Sequence, residues 1–251
     1  MNQSINKAFS LLNYFTTAHP VWGVRELASK SGYNKSTVYR LLQSLCDIGV
    51  IYQDRYDKYQ LGYKLFELGK RVSSFQAIQE LVQPSLNQIA QLIDESVLFS
   101  IPNPKGALCI AQADSNNGLK LENMIGQYQP LYASAPGKLF LAQTDLSWLD
   151  KNKMESFTEK TIVDYKCLQE QLIAINTCNF ALDIEEIEEG LVCLALPIKN
   201  KFGATIGAIS ACGPSSRFRT NKVNSYIEIM RPGQIQMQAA LADMESISVN
   251  F

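Results

Sequence analysis

Lys35, Ser36, Thr37, Tyr39, Arg40 and Gln43 lie on one side of a short segment whose other side is Val38, Leu41, Leu42 and Leu45. At helical spacing the second set makes an apolar stripe, and the first projects hydrogen-bond donors and positive charge with no carboxylate among them. That chemistry suits a helix entering the major groove of a DNA duplex, beside its phosphates. Lys35 and Arg40 supply the charge, and Ser36, Thr37 and Tyr39 supply hydroxyls.

The flanking residues position this helix. Gly32 releases the element before it, Asn34 is placed to cap it and Gly49 to end it. Upstream, Ile5, Ala8, Phe9, Leu12 and Phe15 predict a first amphipathic helix over residues 4–17. Val24, Leu27 and Ala28 predict a short second helix, after a loop holding His19, Pro20 and Gly23. Downstream, strands Val50–Gln53 and Lys58–Leu61 are joined by Asp54-Arg55-Tyr56-Asp57. Three helices and a hairpin make a winged helix-turn-helix domain over residues 1–62. In it Arg25, at the start of the second helix, is placed to hold a phosphate. Arg55 and Lys58, at the hairpin tip, are placed for the DNA backbone or minor groove.

The charge distribution agrees. Residues 1–73 carry ten Lys/Arg against five Asp/Glu, a balance of +5, whereas residues 74–251 carry thirteen against nineteen, a balance of −6. A basic module joined to an acidic one binds a polyanion at one end only. Six cysteines without CxxC pairs, and a single histidine, form no zinc-ligand pattern, so reduced thiols and no metal or cofactor are expected. No apolar run approaches a membrane span, and Asn2, Gln3, Ser4 and Asn6 interrupt any signal-peptide core; a cytoplasmic protein is expected.

Beyond residue 62, Leu65, Leu68 and Val72 predict a linker helix over 63–76, and Pro84 fits the first turn of another helix carrying Leu86, Ile89, Ala90 and Ile93. Strands are predicted at Val97–Ile101, Leu108–Ala113, Leu191–Ile198 and Thr205–Cys212, with helices over 136–143, 167–176 and 221–243. This second domain, residues 77–251, is an α+β sheet domain. Three of its segments suggest a pocket. Ser134-Ala-Pro-Gly-Lys138 opens a helix whose free N–H groups would receive an anion. Asp183 follows a strand-like run, and Cys193, Ser210 and Cys212 lie on two later strands. The acidic run Asp183–Glu189 reads as a loop with a solvated face.

Several segments in order resemble the IclR family of bacterial transcriptional regulators. They are Gly32-Tyr-Asn-Lys-Ser-Thr-Val-Tyr-Arg-Leu-Leu-Gln-Ser-Leu, the stretch from Lys58 to Gly69, Leu131-Tyr-Ala-Ser-Ala-Pro-Gly-Lys-Leu-Phe-Leu-Ala142, Phe180–Ile198 and Gly203–Arg217. The resemblance implies a GAF-like effector-binding domain, with effector contacts at Ala135, Pro136, Asp183, Cys193, Ser210 and Cys212. It also implies a homodimer or tetramer on an operator in double-stranded DNA, answering to a small organic or aromatic acid; repression is expected over activation, both of which occur in the family. Two positions depart from the pattern: Pro136 has no N–H to donate, and Cys212 stands where relatives often carry a hydroxyl. An enzyme is not expected, because the only histidine lies in the first domain and neither a GxSxG elbow nor a glycine-rich phosphate loop is present. The alternative is a DNA-binding regulator that senses redox state through Cys193 and Cys212.

Overall fold

Leu11, Leu27, Val38, Leu42 and Tyr59 are fully buried together and form the centre of the N-terminal core. The structure is a computed structural model and describes residues 2–114, 121–144 and 154–244. It divides into two units, Met1–Gln76 and Ala77–Phe251.

In the first unit, α1 (Gln3–Leu12) starts where the Asn2 side chain accepts the Ser4 N–H at 3.1 Å. It ends five residues earlier than the apolar spacing predicts. After the two-residue strand β1 (Trp22–Gly23) comes α2 (Val24–Ser31), which Gly32 terminates at φ +69°, a left-handed conformation that favours glycine. Helix α3 (Lys35–Asp47) buries Val38, Leu41, Leu42 and Leu45, the predicted stripe. Strands β2 (Ile51–Gln53) and β3 (Lys58–Leu61) form the hairpin, and β1 pairs on the far side of β3 in the order β1-β3-β2. At the hairpin tip Asp54 Oδ1 accepts from the N–H groups of Tyr56 (2.8 Å) and Lys58 (3.0 Å), the local bonding that makes Asp a turn residue.

The expected linker helix over 63–76 is instead two helices: α4 (Tyr63–Gly69), then α5 (Ser73–Ile93). Pro84 does not open a helix; it lies inside α5, on its exposed side. Glu80, whose carbonyl loses its partner there, is itself an exposed residue, which lowers the penalty of an interior proline. Pro232 inside α8 (Val223–Ala240) is also exposed.

The second unit is built on a six-stranded antiparallel sheet in the order β6-β5-β4-β9-β8-β7. Its strands are β4 (Ser96–Asn103), β5 (Gly106–Ala113), β6 (Tyr128–Gln129), β7 (Ala181–Ile184), β8 (Leu191–Lys199) and β9 (Thr205–Pro214). Near-continuous burial along β4, β8 and β9 shows that both faces of the sheet are covered. One face, carrying Leu98, Cys109, Ala181, Cys193, Ala195 and Cys212, packs on α6 (Ala135–Leu141) and α7 (Tyr165–Cys178). Against the other lies α8, whose Gln234 donates to the Pro197 carbonyl at 2.7 Å. Helix α5 joins α8 closely enough that a Cβ on Gly233 would meet Ile89 Cδ1 at 2.5 Å. Among the described residues no helix is long and apolar enough to cross a membrane.

Candidate functional site

On α3, Lys35, Ser36, Tyr39 and Arg40 are exposed and Thr37 is half-buried, while the leucines of the same helix close the core. Gln43, on the same outward side, turns back: its Nε2 donates to the buried Tyr59 hydroxyl at 3.1 Å and helps hold the helix to the hairpin. Arg25 is exposed at the start of α2. Arg55 is exposed at the hairpin tip and lies 4.8 Å over the Tyr56 ring. Lys58 is half-buried and forms an ion pair with Glu26 at 2.8 Å. The Lys58 ammonium and the Gly23 N–H (2.7 Å) hold the Glu26 carboxyl below its usual range. That pair spans from the start of α2 to the root of the wing, so Lys58 also braces the wing. A cavity of about 560 Å³ lined by Arg25, Lys35, Tyr39 and Lys58 opens between these elements.

The second unit holds a cavity of about 500 Å³ lined by Leu121, Met124, Tyr128, Gln129, Pro130, Asp183, Ile187, Leu191, Cys193 and Cys212, with Glu122 and Glu188 exposed at its edge. Sheet register explains its floor: Asp183 on β7 is opposite Cys193 on β8, which is opposite Cys212 on β9. Ser210, two residues from Cys212 on the same face, is fully buried, pairs with Leu98 and Ala195, and is not part of the lining. Among the described residues its hydroxyl has no hydrogen-bond partner. Ala135 and Pro136 are likewise buried in the core and absent from the lining.

Two positions at the expected anion-receiving helix start have no free N–H. Ser134 Oγ accepts the Gly137 N–H at 3.0 Å, and Pro136 has none to give. The α6 backbone sits so close to the preceding turn that a Cβ on Gly137 would come within 2.6 Å of the Pro130 carbonyl oxygen.

The acidic run is corrected in part. Glu188 and Glu189 are exposed, but Asp183 and Glu186 are buried. Glu186 forms an ion pair with Lys138, a fully buried cation on α6 whose Nζ also donates to the Leu182 carbonyl at 3.0 Å. Sequence reasoning missed this pair. The available signal was a lysine inside the apolar run Ala135–Ala142, which needs an acidic partner if the helix is buried. Asp183 accepts the Glu186 N–H at 2.8 Å, and burial pushes its carboxyl up to about 7, with Lys138 opposing.

That shift has a sign in stability. Between pH 4 and 7 the unfolded chain has released this proton while the folded chain keeps it, so rising pH removes stability across that window, and the loss is complete above it. Asp183→Asn keeps an acceptor for the Glu186 N–H and has nothing to ionise. It is expected to unfold in urea at higher concentration than the parent at pH 8, with a gain of roughly 2–4 kcal/mol that vanishes near pH 4. An equal difference at both pH values would contradict the buried carboxyl.

Cys193 and Cys212 face one another but are both buried, and the Cys193 thiol is pushed well up, first by its bond to Cys212 and then by burial. Burial also pushes Cys109 up, to about 12. The thiolate is the reactive form, so a Cys193 kept as thiol is poorly suited to sensing oxidants, which weighs against the redox alternative.

Comparison with known proteins assigns the class. A model of the IclR helix-turn-helix domain matches residues 4–55, and a model of the bacterial transcriptional regulator IclR C-terminal domain matches residues 70–236. The chain belongs to the IclR family and is a DNA-binding transcriptional regulator rather than an enzyme. It is 28% identical over 248 residues to the HTH-type transcriptional regulator KdgR of Escherichia coli (strain K12), covering 95% of this chain and 92% of that one. It is 32% identical over 251 residues to an HTH-type transcriptional regulator of Haemophilus influenzae, covering 96% and 93%. Two solved structures share the fold. IclR of Thermotoga maritima has a TM-score of 0.72 at 24% identity, covering 96% of this chain and 100% of that chain. An IclR homolog from Microbacterium hydrocarbonoxydans, complexed with 4-hydroxybenzoate, has a TM-score of 0.81 at 19% identity, covering 95% and 98%.

Proposed function

We propose that this protein is an operator-binding repressor, acting as a homodimer or tetramer in the cytoplasm, whose affinity for DNA is set by a small molecule in the C-terminal cavity. The exposed donor-rich face of α3 carries the reading of DNA contact: Lys35, Ser36, Thr37, Tyr39 and Arg40 are assigned to the groove, and Arg25, Arg55 and Lys58 to the flanking phosphates. Repression is supported by relatives named as transcriptional repressors, among them AllR of Klebsiella pneumoniae at 26% identity. Self-association is supported by large apolar side chains left exposed on α1 and α4: Ile5 (55%), Phe9 (63%), Tyr63 (90%) and Phe66 (69%). Two copies would present two recognition helices to two half-sites.

Asp183, Cys193 and Cys212 line the cavity assigned to the effector, with Ser210, Ala135 and Pro136 beneath or beside it. The 4-hydroxybenzoate held by the Microbacterium homolog supports a small-molecule role for this fold. An effector moves the operator equilibrium only if it prefers one arrangement of the protein, and the coupling is reciprocal.

Fluorescence anisotropy on labelled DNA from upstream of the protein's own gene tests the DNA-binding half. The expected result is specific binding whose log Kd rises linearly with log salt, by about 0.9 per phosphate neutralised. Equal affinity for that DNA and a scrambled duplex at every salt concentration would refute operator recognition.

A further inference from the structure

Glu26 holds an anion's place on the DNA-binding face. It stands in the first turn of α2, where unpaired N–H groups and the helix dipole favour negative charge. Its Oε2 accepts the Gly23 N–H at 2.7 Å, and Lys58 Nζ donates to Oε1 at 2.9 Å and to Oε2 at 2.8 Å. Gly23 and Lys58 are directly opposite in the pairing of β1 with β3, so the sheet register delivers both donors to one carboxylate. A backbone N–H at a helix start and a lysine ammonium are also the donors that a DNA phosphate takes.

The surroundings are those of the proposed interface. The cavity between α2, α3 and the wing is lined by Arg25, Lys35 and Lys58, with Glu26 and Asp57 as its acids among the described residues. Asp57 is turned to Gln53, whose Nε2 donates to its Oδ1 at 3.0 Å, so Glu26 is the acid that holds a cation. The Glu26 side chain is 52% exposed and that of Lys58 39%, and a phosphate can reach the pair without any part of the fold opening. Lys58 and the Gly23 N–H keep the Glu26 carboxyl ionised across the neutral range.

We propose that Glu26 is a built-in competitor for the DNA backbone: its carboxylate occupies the place of a phosphate on Lys58, and DNA displaces it before Lys58 engages the backbone. An exposed ion pair is weak, so the pair braces the wing in the free protein and gives way on DNA. Glu26 thereby lowers the sequence-blind part of the affinity and leaves the base contacts of α3 untouched. Because every duplex meets the same competitor, the ratio of operator to random binding is unaltered, while the absolute hold on random DNA is weaker.

Resting on the assignment of Lys58 to a phosphate, the competition is measured with three variants of the full-length protein: Glu26→Gln, Lys58→Met and the two combined. Anisotropy gives Kd for the labelled upstream duplex and its scrambled counterpart across a range of salt. Glutamine keeps an amide oxygen for the Gly23 N–H, so α2 keeps its start, and thermal unfolding verifies the fold of each variant. Glu26→Gln is expected to tighten both duplexes by about two- to fivefold per recognition domain, and to steepen the dependence of log Kd on log salt by about 0.9 per domain. Made on Lys58→Met, the same substitution is expected to gain less than about twofold, because only repulsion is left to relieve. An equal gain in both backgrounds would reduce Glu26 to general repulsion. Unchanged affinity and salt slope, or weaker binding to both duplexes, would leave it a brace alone. A gain confined to one duplex would place it at a base edge. Each of these overturns the competition. Failure of operator recognition reads differently: the parent then binds both duplexes alike, and the response to Glu26→Gln is still measured on either.

Discussion

Replacing Lys138 by methionine is expected to destabilise the C-terminal unit by about 3–5 kcal/mol, the usual cost of removing one partner of a buried ion pair. Methionine fills most of the space left by the lysine stem, so the loss is electrostatic: Glu186 and Asp183 remain inside with no cation. Burial pushes the Lys138 ammonium down and the Glu186 carboxyl up, each against its charge, so desolvation outweighs their mutual attraction. The pair is therefore weak as a source of stability and costly to break in half. One Glu186 oxygen already lacks a partner among the described residues. Adding Glu186→Gln to Lys138→Met removes the stranded charge and is expected to recover about half of the loss. Thermal unfolding reads both, with the single substitution lowering the melting temperature by roughly 10 °C for a unit of this size. A Lys138→Met protein as stable as the parent would show that Lys138 is not charged and paired in the folded state.

That pair also marks where reading the chain alone reached its limit. The helix-turn-helix was legible because its information is local: the stripe Val38, Leu41, Leu42, Leu45 lies within one helix, and Gly32 and Asp54 act on their immediate neighbours. The sheet strands were legible from apolar runs at 97–101, 108–113, 191–198 and 205–212, but β6, two residues long, carries no periodicity to find. Lys138 and Glu186 are 48 residues apart, and only the packing of α6 on β7 and β8 brings them together. In the run Asp183–Glu189, the residues at 183 and 186 turn inward and those at 188 and 189 outward, a division set by the turn after β7. Pro84 failed for a different reason: a rule about where proline begins helices met a position where an exposed face tolerates it in the middle.

Alanine at both Lys35 and Arg40 is expected to reduce operator affinity by a factor of about 10³ or more while leaving the melting temperature within a degree or two of the parent. The two halves of that expectation come from the two faces of α3. Both side chains are exposed, and the core is made by Val38, Leu41, Leu42 and Leu45 on the opposite side, so stability should change by no more than about 0.5 kcal/mol. Deleting a side chain that holds a phosphate or a base edge costs about 1–3 kcal/mol, and a dimer on two half-sites bears that cost twice. In the proposed dimer, two residues in each of two protomers then remove at least about 4 kcal/mol, a thousandfold in Kd. The single substitutions sort the roles. If Lys35 holds a phosphate, Lys35→Ala weakens operator and scrambled DNA alike and flattens the salt dependence by about one per phosphate released. If Arg40 reads a base edge, Arg40→Ala weakens the operator far more than the scrambled duplex and leaves the salt slope nearly unchanged. An Arg40→Ala protein that binds its operator as the parent does would refute the role of Arg40, and the same result for the double substitution would remove α3 from the interface, and with it the physical basis for recognition.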